Sequence, residues 1–541
     1  MTSDTVPVTT DDAFPAPVWS VDPRTGEHRA RVGVESSPAD IDRAVRAAAA
    51  AAAALADRPR RAALLRAAAD HLERDAAQVV AVADAESALG VPRLTGELAR
   101  TAYQFRAFAE IVDDGAFLDV VIDHADSALG RPDLRRANTP LGVVAVFAAG
   151  NFPLAFSVPG GDTASALAAG CPVVVKAHPG HPETGALCAR LLRAAAVSVG
   201  LPEDVLAVVH GFEAGAALVR HPLTAAVGFT GSVRGGRALH DVAAARPRPI
   251  PFHGELGSLN PVVVTPAAAA TMADEIGAGL AASFTLGGGQ FCVKPGLVLV
   301  PAGDPGGVAE TPGGARSKPG ALEEAVVEAA GRVAATPLLD ARMRAAFLAG
   351  VRERTALPGV AELLAAGEEP TAGAPLAVRP GVLAVPAALL AEDGPHDLLL
   401  EECFGPVTVL AHYRDQAELE AVLARLDGNL TATVRFAADE NGEDAAGLLR
   451  RLIPLAGRIV VDGWPTGVAV APAMHHGGPY PAATSVATSV GAGAIGRWLR
   501  PVSYQGVPQE LLPPELRDGN PLGVPRRVDG RPEGLPGEAP G

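Results

Sequence analysis

Val143-Val144-Ala145-Val146-Phe147-Ala148-Ala149-Gly150-Asn151-Phe152-Pro153 is an unbroken apolar run that stops at glycine, a polar amide and proline. Without polar alternation, its first six residues predict a strand covered on both faces, as in a parallel sheet. The chain on either side repeats the pattern. Helical periodicity over 162–169 leads to a second strand at 172–176, and a helix over 183–199 to a third at 205–209. A short helix up to residue 220, a strand over 225–230, a helix over 233–245 and a strand over 250–256 complete the unit. Strands alternating with helices give an α/β fold with a doubly covered parallel sheet, a nucleotide-binding type of architecture. Asn151 then falls at the carboxyl end of the first strand, where ligands bind in such sheets and where a side-chain amide can donate to a developing oxyanion. Architecture alone assigns no chemistry.

Upstream, residues 1–35 read as a proline-punctuated lead-in that is irregular or strand-forming, and 38–114 as helices with Ala, Leu and Arg at three- and four-residue spacing. Residues 123–140 turn polar and proline-bearing, as an extended arm would. A second α/β unit runs from about residue 260 to 470, with a long helix over 266–284 and a strand over 297–300. Residues 301–320 are rich in Gly and Pro and read as a surface insertion. The stretch 518–541, Pro/Gly-rich and charged, is expected to be disordered.

Hydrophobic residues make up 48% and charged residues 20% of 541, a balance that suits two or three soluble domains. The net charge of −16 and the lack of a basic block disfavour nucleic acid and anionic membrane as partners. Four cysteines, Cys171, Cys188, Cys292 and Cys403, have no paired spacing, so free thiols in a reducing compartment are expected. No signal-peptide pattern opens the chain, and the alanine-rich run 47–56 is too short to span a bilayer, which together predict a cytoplasmic protein.

Three stretches carry candidate chemistry. Gly287-Gly288-Gly289-Gln290-Phe291-Cys292 presents a thiol after a glycine turn, and Glu255-Leu256-Gly257-Ser258 a carboxylate beside glycine at a strand end. Together they suit covalent catalysis followed by hydrolysis, although in isolation a surface turn before a structural cysteine is the commoner reading. Gly228-Phe229-Thr230-Gly231-Ser232 ends a strand where a helix begins, a place for a pyrophosphate or simply for Ser232 as a helix cap. The literal G-x-G-x-x-G at 491–496 lacks a following strand and is rejected as a dinucleotide fingerprint. His178, His181, His475 and His476 lack the company of a zinc site, so no metal is expected and they read as solvated or structural.

Taken together these stretches resemble the aldehyde dehydrogenase superfamily over about residues 15–517. Asn151-Phe152-Pro153, Val174-Val175-Lys176, Phe229-Thr230-Gly231-Ser232, Glu255-Leu256-Gly257, Gly289-Gln290-Phe291-Cys292 and Glu401-Glu402-Cys403-Phe404-Gly405-Pro406 match that family's motifs in order. The strings 149–157, 286–292, 463–468 and 474–480 look like the 2,5-dioxovalerate (α-ketoglutaric semialdehyde) dehydrogenases. NADP-dependent bacterial fatty-aldehyde dehydrogenases share much of the same pattern.

The resemblance implies NAD(P)-dependent oxidation of an aldehyde to a carboxylic acid, with α-ketoglutaric semialdehyde the favoured substrate and a long-chain or general aliphatic aldehyde the alternative. It implies Cys292 as nucleophile, Glu255 as base for hydrolysis, and Asn151 with the Cys292 N–H as the oxyanion site. Lys176 would bind the adenosine ribose, Phe229, Thr230, Gly231 and Ser232 the coenzyme turn, and Glu402 and Phe404 the nicotinamide end. Pro179 stands where NAD-preferring members carry a glutamate, which favours NADP or dual use; Arg234 and Lys176 are candidate phosphate ligands, while Glu213 argues the other way. A coenzyme-free Cys esterase and a non-catalytic binding protein are the rival classes. The implied fold has a cofactor-binding domain (1–124 and 143–258), a catalytic domain (259–470), and an oligomerisation arm with C-terminal return (125–142 and 471–517), assembling as a homodimer or homotetramer.

Overall fold

Strand β1 (Val143–Phe147) is buried at every residue, as its uninterrupted apolar sequence requires. In the computed structural model, which describes residues 15–302, 320–368 and 374–533, it is the central strand of a five-stranded sheet. With β2 (Val173–Lys176), β3 (Leu206–Val209), β4 (Thr224–Thr230) and β5 (Phe252–Glu255), the order is β3-β2-β1-β4-β5, all parallel. Chain progression reverses between β1 and β4, so the carboxyl ends of these two strands flank the crevice where parallel sheets bind ligands.

Helices Pro38–Ala51, Arg58–Arg74, Ala76–Ser87 and α1 (Val91–Asp114) precede the sheet. The first starts in a capping box between Ser37 and Asp40. Helix α1 stops at Gly115, whose φ of 77° suits glycine. Its buried stripe, including Leu94, Leu98, Phe105, Phe108 and Val112, enters one apolar core with alternate residues of β1 and β2. Helix α2 (Val233–Ala244) follows β4 and is capped by the Ser232 hydroxyl, which accepts from the Gly235 N–H.

A second sheet has seven strands in the order 361–364, 381–386, 407–413, 297–301, 262–264, 429–435 and β6 (Ala456–Val461). It is parallel apart from the first edge strand. The long helix expected over 266–284 is two helices, Pro266–Thr271 and α3 (Ala273–Thr285). The first closes at Met272, at φ −129° and ψ 24°, outside helical backbone.

A third sheet joins distant segments in the order 499–505, 134–140, 120–123, 526–528 and 531–533. Two expectations are corrected here. Residues 120–123, assigned to the cofactor-binding domain, belong to this third sheet. Residues 518–533, expected to be disordered, complete it: Val524 is buried with Val120 and Ile122, and Arg526 pairs with Glu533 at 2.9 Å. Average composition conceals these few well-placed residues. The rest of the expected tail, 534–541, and most of the expected insertion, 303–319, lie outside the described residues. Among the described residues no helix is long and apolar enough to cross a membrane.

Candidate active site

The three glycines after α3 take φ values of 58°, 70° and 67°, all left-handed. Gly289 has a second constraint, because a Cβ there would collide with the backbone of Gly405. The turn therefore presses the Cys292 loop against the 401–406 loop. Polar side chains fix it from several sides. Asn151 Nδ2 donates to the Gln290 carbonyl at 2.9 Å, and Asn260 Nδ2 to the Cys292 carbonyl at 2.8 Å. Asn260 was not expected from the sequence; its φ of 55° singles it out only in the structure.

Glu255, the last residue of β5, is 4% exposed and faces Cys292. His476, 1% exposed, brings its Nε2 within 2.9 Å of Glu255 Oε1 and 3.7 Å of Cys292 Sγ. Ser489 donates to Glu255 Oε2 at 2.8 Å. The reading of His476 as a solvated or structural side chain is thus corrected: it touches both reactive groups. Burial alone would raise the Glu255 carboxyl, but His476 and the hydrogen bonds from His476 and Ser489 hold it below its usual value. Burial, with Glu255 alongside, pushes the Cys292 thiol well above the ordinary thiol range. The carboxylate stays charged, and the thiol needs an acceptor.

His178 and His181 fit the structural reading. His181 Nε2 meets the Ala149 carbonyl at 2.9 Å, and burial pushes its imidazole down to about 4. The motif at 491–496 leads into a 3₁₀ helix, Ala492–Trp498; contrary to expectation a strand, 499–505, follows it, but that strand pairs antiparallel with 134–140 and completes no βαβ unit.

The residues expected to hold a coenzyme lie around the sheet's crevice. Lys176 ends β2, and Phe229, Thr230, Gly231 and Ser232 lead from β4 into α2. A Cβ on Gly231 would stand 2.8 Å from the Phe229 ring, so glycine keeps this turn low enough for close approach by a ligand. Glu402 approaches from the loop before strand 407–413, its Oε2 2.6 Å from where a Cβ on Gly257 would stand. Burial raises its carboxyl to about 7, against the pull of Lys294 and the Ser258 N–H. Phe404, two residues on, is half-buried. A positive amine, a glycine turn at a helix start and a carboxylate beyond it fit a dinucleotide.

One side of helix α1 braces the loop after β1, which the sequence reading missed. Arg93 donates to the Asn151 carbonyl at 2.7 Å and lies over the rings of Phe152 and Phe291 at 4.9 and 4.7 Å. Glu97 accepts from the N–H groups of Leu154 and Ala155, both at 2.9 Å. Polar residues four apart within an apolar helical stripe were the available signal.

The ligand atoms of Glu255, Cys292 and His476 all lie within 4.8 Å of one another, near enough to chelate one Zn²⁺. Equimolar zinc is expected to slow alkylation of Cys292 by iodoacetamide about tenfold, reversibly with EDTA, because a metal-bound thiolate is a poor nucleophile. Equal protection in His476→Asn would show that zinc acts elsewhere.

Comparison with known proteins gives a concordant picture. The description "Aldehyde dehydrogenase family" matches residues 10–478. Alpha-ketoglutaric semialdehyde dehydrogenase 2 of Azospirillum brasilense is 45% identical over 530 residues, covering 95% of each chain. Alpha-ketoglutaric semialdehyde dehydrogenase of Acinetobacter baylyi is 40% identical over 456 residues, 83% of this chain and 82% of that one. Among solved structures, a mutant of aldehyde dehydrogenase C from Pseudomonas syringae in complex with NAD⁺ and octanal has the same fold. Its TM-score is 0.74 at 22% identity, over 91% of this chain and 94% of that one.

Proposed function

Because this chain belongs to the aldehyde dehydrogenase family, and so is an NAD(P)-dependent oxidoreductase, we propose that it oxidises α-ketoglutaric semialdehyde (2,5-dioxopentanoate) to 2-oxoglutarate, with NADP favoured over NAD. The observation that carries this reading is the meeting of Cys292, Glu255 and His476 beside the crevice of a parallel sheet. The substrate follows from the two relatives named for it.

The chemistry is derived from those side chains. The Cys292 proton passes to His476, whose Nε2 is 3.7 Å from the sulfur, and the thiolate adds to the aldehyde carbon to give a thiohemiacetal. One N–H of the Asn151 amide is held by Gln290, leaving the other, with the Cys292 N–H, for the oxyanion; such a donor is worth about 3 kcal/mol. NAD(P)⁺ held in the crevice would supply a hydride acceptor, and loss of hydride from the Cys292 thiohemiacetal would leave a thioester. Glu255 then takes a proton from water as the water adds to the thioester carbonyl. The carbon–sulfur bond breaks, the acid leaves and the thiolate returns. Lys176, the 229–232 turn, Glu402 and Phe404 hold the coenzyme in this scheme.

Coenzyme preference rests on what surrounds Lys176. Pro179 offers no carboxylate to repel a 2′-phosphate, and half-buried His178 and buried His181 are pushed toward the neutral form. Arg342, whose side chain is 74% exposed, adds positive potential at Lys176 and His178; Glu35 opposes it. The third sheet joins copies into a dimer or tetramer, and the protein works in the cytoplasm.

The test is nicotinamide reduction with α-ketoglutaric semialdehyde, comparing the two coenzymes and decanal. The expected result is a higher kcat/KM with NADP than with NAD, and with the semialdehyde than with decanal. A ratio below one for the coenzymes removes the NADP assignment, and faster turnover of decanal removes the substrate. Ester hydrolysis with no aldehyde oxidation would overturn the whole reading.

A further inference from the structure

Two half-buried arginines outside the machinery described above converge on one short loop. Arg100 lies on helix α1, two turns beyond Arg93, and Arg458 on strand β6 of the other domain. Arg100 donates through Nε and Nη2 to the Val468 carbonyl at 3.3 and 3.2 Å. Arg458 donates through Nη1 to the neighbouring Gly467 carbonyl at 2.7 Å. Consecutive carbonyls therefore bring two cations from separate domains to one place.

Each guanidinium keeps donors in reserve. Arg100 Nη1 and Arg458 Nε and Nη2 are buried and have no hydrogen-bond partner among the described residues. A buried charged donor left unpaired is costly, and native proteins keep few of them. A carboxylate would supply the acceptors that these donors lack and offset their charge. Glu97 compensates only in part: its Oε1 is taken by the Leu154 and Ala155 N–H groups, and burial pushes its carboxyl up.

The pair also stands at the reacting centre. Arg100 lies over the Phe156 ring at 5.1 Å, and that ring is 6.3 Å from the imidazole of His476, which touches Cys292. The charge of a Cys292 thiolate acts on both guanidiniums. A group bound by them is therefore held near the sulfur without displacing it.

We propose that Arg100 and Arg458 form the anchor for the carboxylate of a short oxo-acid aldehyde, placing its far end at Cys292. This rests on the substrate reading above and gives it a residue-level cause. Charge-assisted hydrogen bonds from two planar guanidiniums suit a carboxylate, and an alkyl aldehyde gains nothing from them.

The test compares wild type, Arg100→Met, Arg458→Met and the conservative Arg458→Lys on 2,5-dioxopentanoate and on pentanal, which has the same chain length and no carboxylate. In each methionine variant the loss of kcat/KM on the oxo-acid is expected to exceed the loss on pentanal by at least about thirtyfold, mainly through KM, with Arg458→Lys in between. Equal losses on both substrates would mean a structural role and overturn the anchor. Wild type that favours the oxo-acid, with variants that keep this preference, would overturn the anchor and leave the substrate reading intact. Wild type indifferent to the carboxylate would bring down both.

A second readout does not depend on turnover. 2-Oxoglutarate should slow iodoacetamide alkylation of Cys292 in wild type and fail to do so in Arg100→Met. Protection that is the same in both, or absent from wild type, would refute the anchor even if the variants are poorly active.

Discussion

With Cys292 replaced by alanine, coenzyme reduction on any aldehyde is expected to fall by about ten-thousandfold or more, the scale of loss when a covalent nucleophile is removed. No other thiol can take over. Cys171, Cys188 and Cys403 are buried, and burial raises all three thiols. The thermal midpoint should stay near that of wild type, because Cys292 is only partly buried and its loop is tied through backbone carbonyls. Steady-state kinetics with a melting curve on the same preparation check both. Residual turnover above about a thousandth of wild type would show that hydride can leave a simple hydrated aldehyde, and would remove the thiohemiacetal from the scheme.

The second large effect belongs to Glu255→Gln. Steady-state turnover is expected to drop about a hundredfold or more, because water attack on the thioester loses its base. The first turnover should survive, so rapid mixing should show a burst of reduced coenzyme approaching one per active site. The same substitution should move alkylation of the free enzyme in the opposite direction. Burial and the Glu255 carboxylate both raise the Cys292 thiol. A raised thiol is protonated at neutral pH and becomes reactive only as pH climbs. Removing the carboxylate lowers that pKa, so the glutamine variant should react faster with iodoacetamide near neutrality and its pH profile should shift down. A variant that neither bursts nor alkylates faster would mean that Glu255 is needed to deprotonate Cys292 before addition.

Much of this arrangement could be read from the chain. The apolar run at 143–147 and the alternation after it define the first sheet, because covered parallel strands need no polar positions. Positive φ across Gly287, Gly288 and Gly289 follows from the triplet itself. His476 was invisible for a physical reason. It lies 221 residues from Glu255 in sequence, and next to His475 it resembles an ordinary polar pair. Arg93, Glu97 and Arg100 escaped differently: they sit within a stripe that otherwise reads as core, and only the fold reveals what they face. The break at Met272 had no proline or glycine to announce it, and the residues after 517 were obscured by averaging over a stretch rich in turn formers.

The closing strand at 526–528 also protects its neighbour. It lies in parallel register against residues 120–122, while Asp529 accepts from the His124 N–H and pairs with Arg131. A frameshift or protease nick after residue 517 would spare every group near the sulfur and still lay bare a raw strand edge with Val120 and Ile122 beneath it. Such edges template adhesion between copies. Damage there would be felt as clumping and lost yield of the protein, while each surviving molecule kept its chemistry.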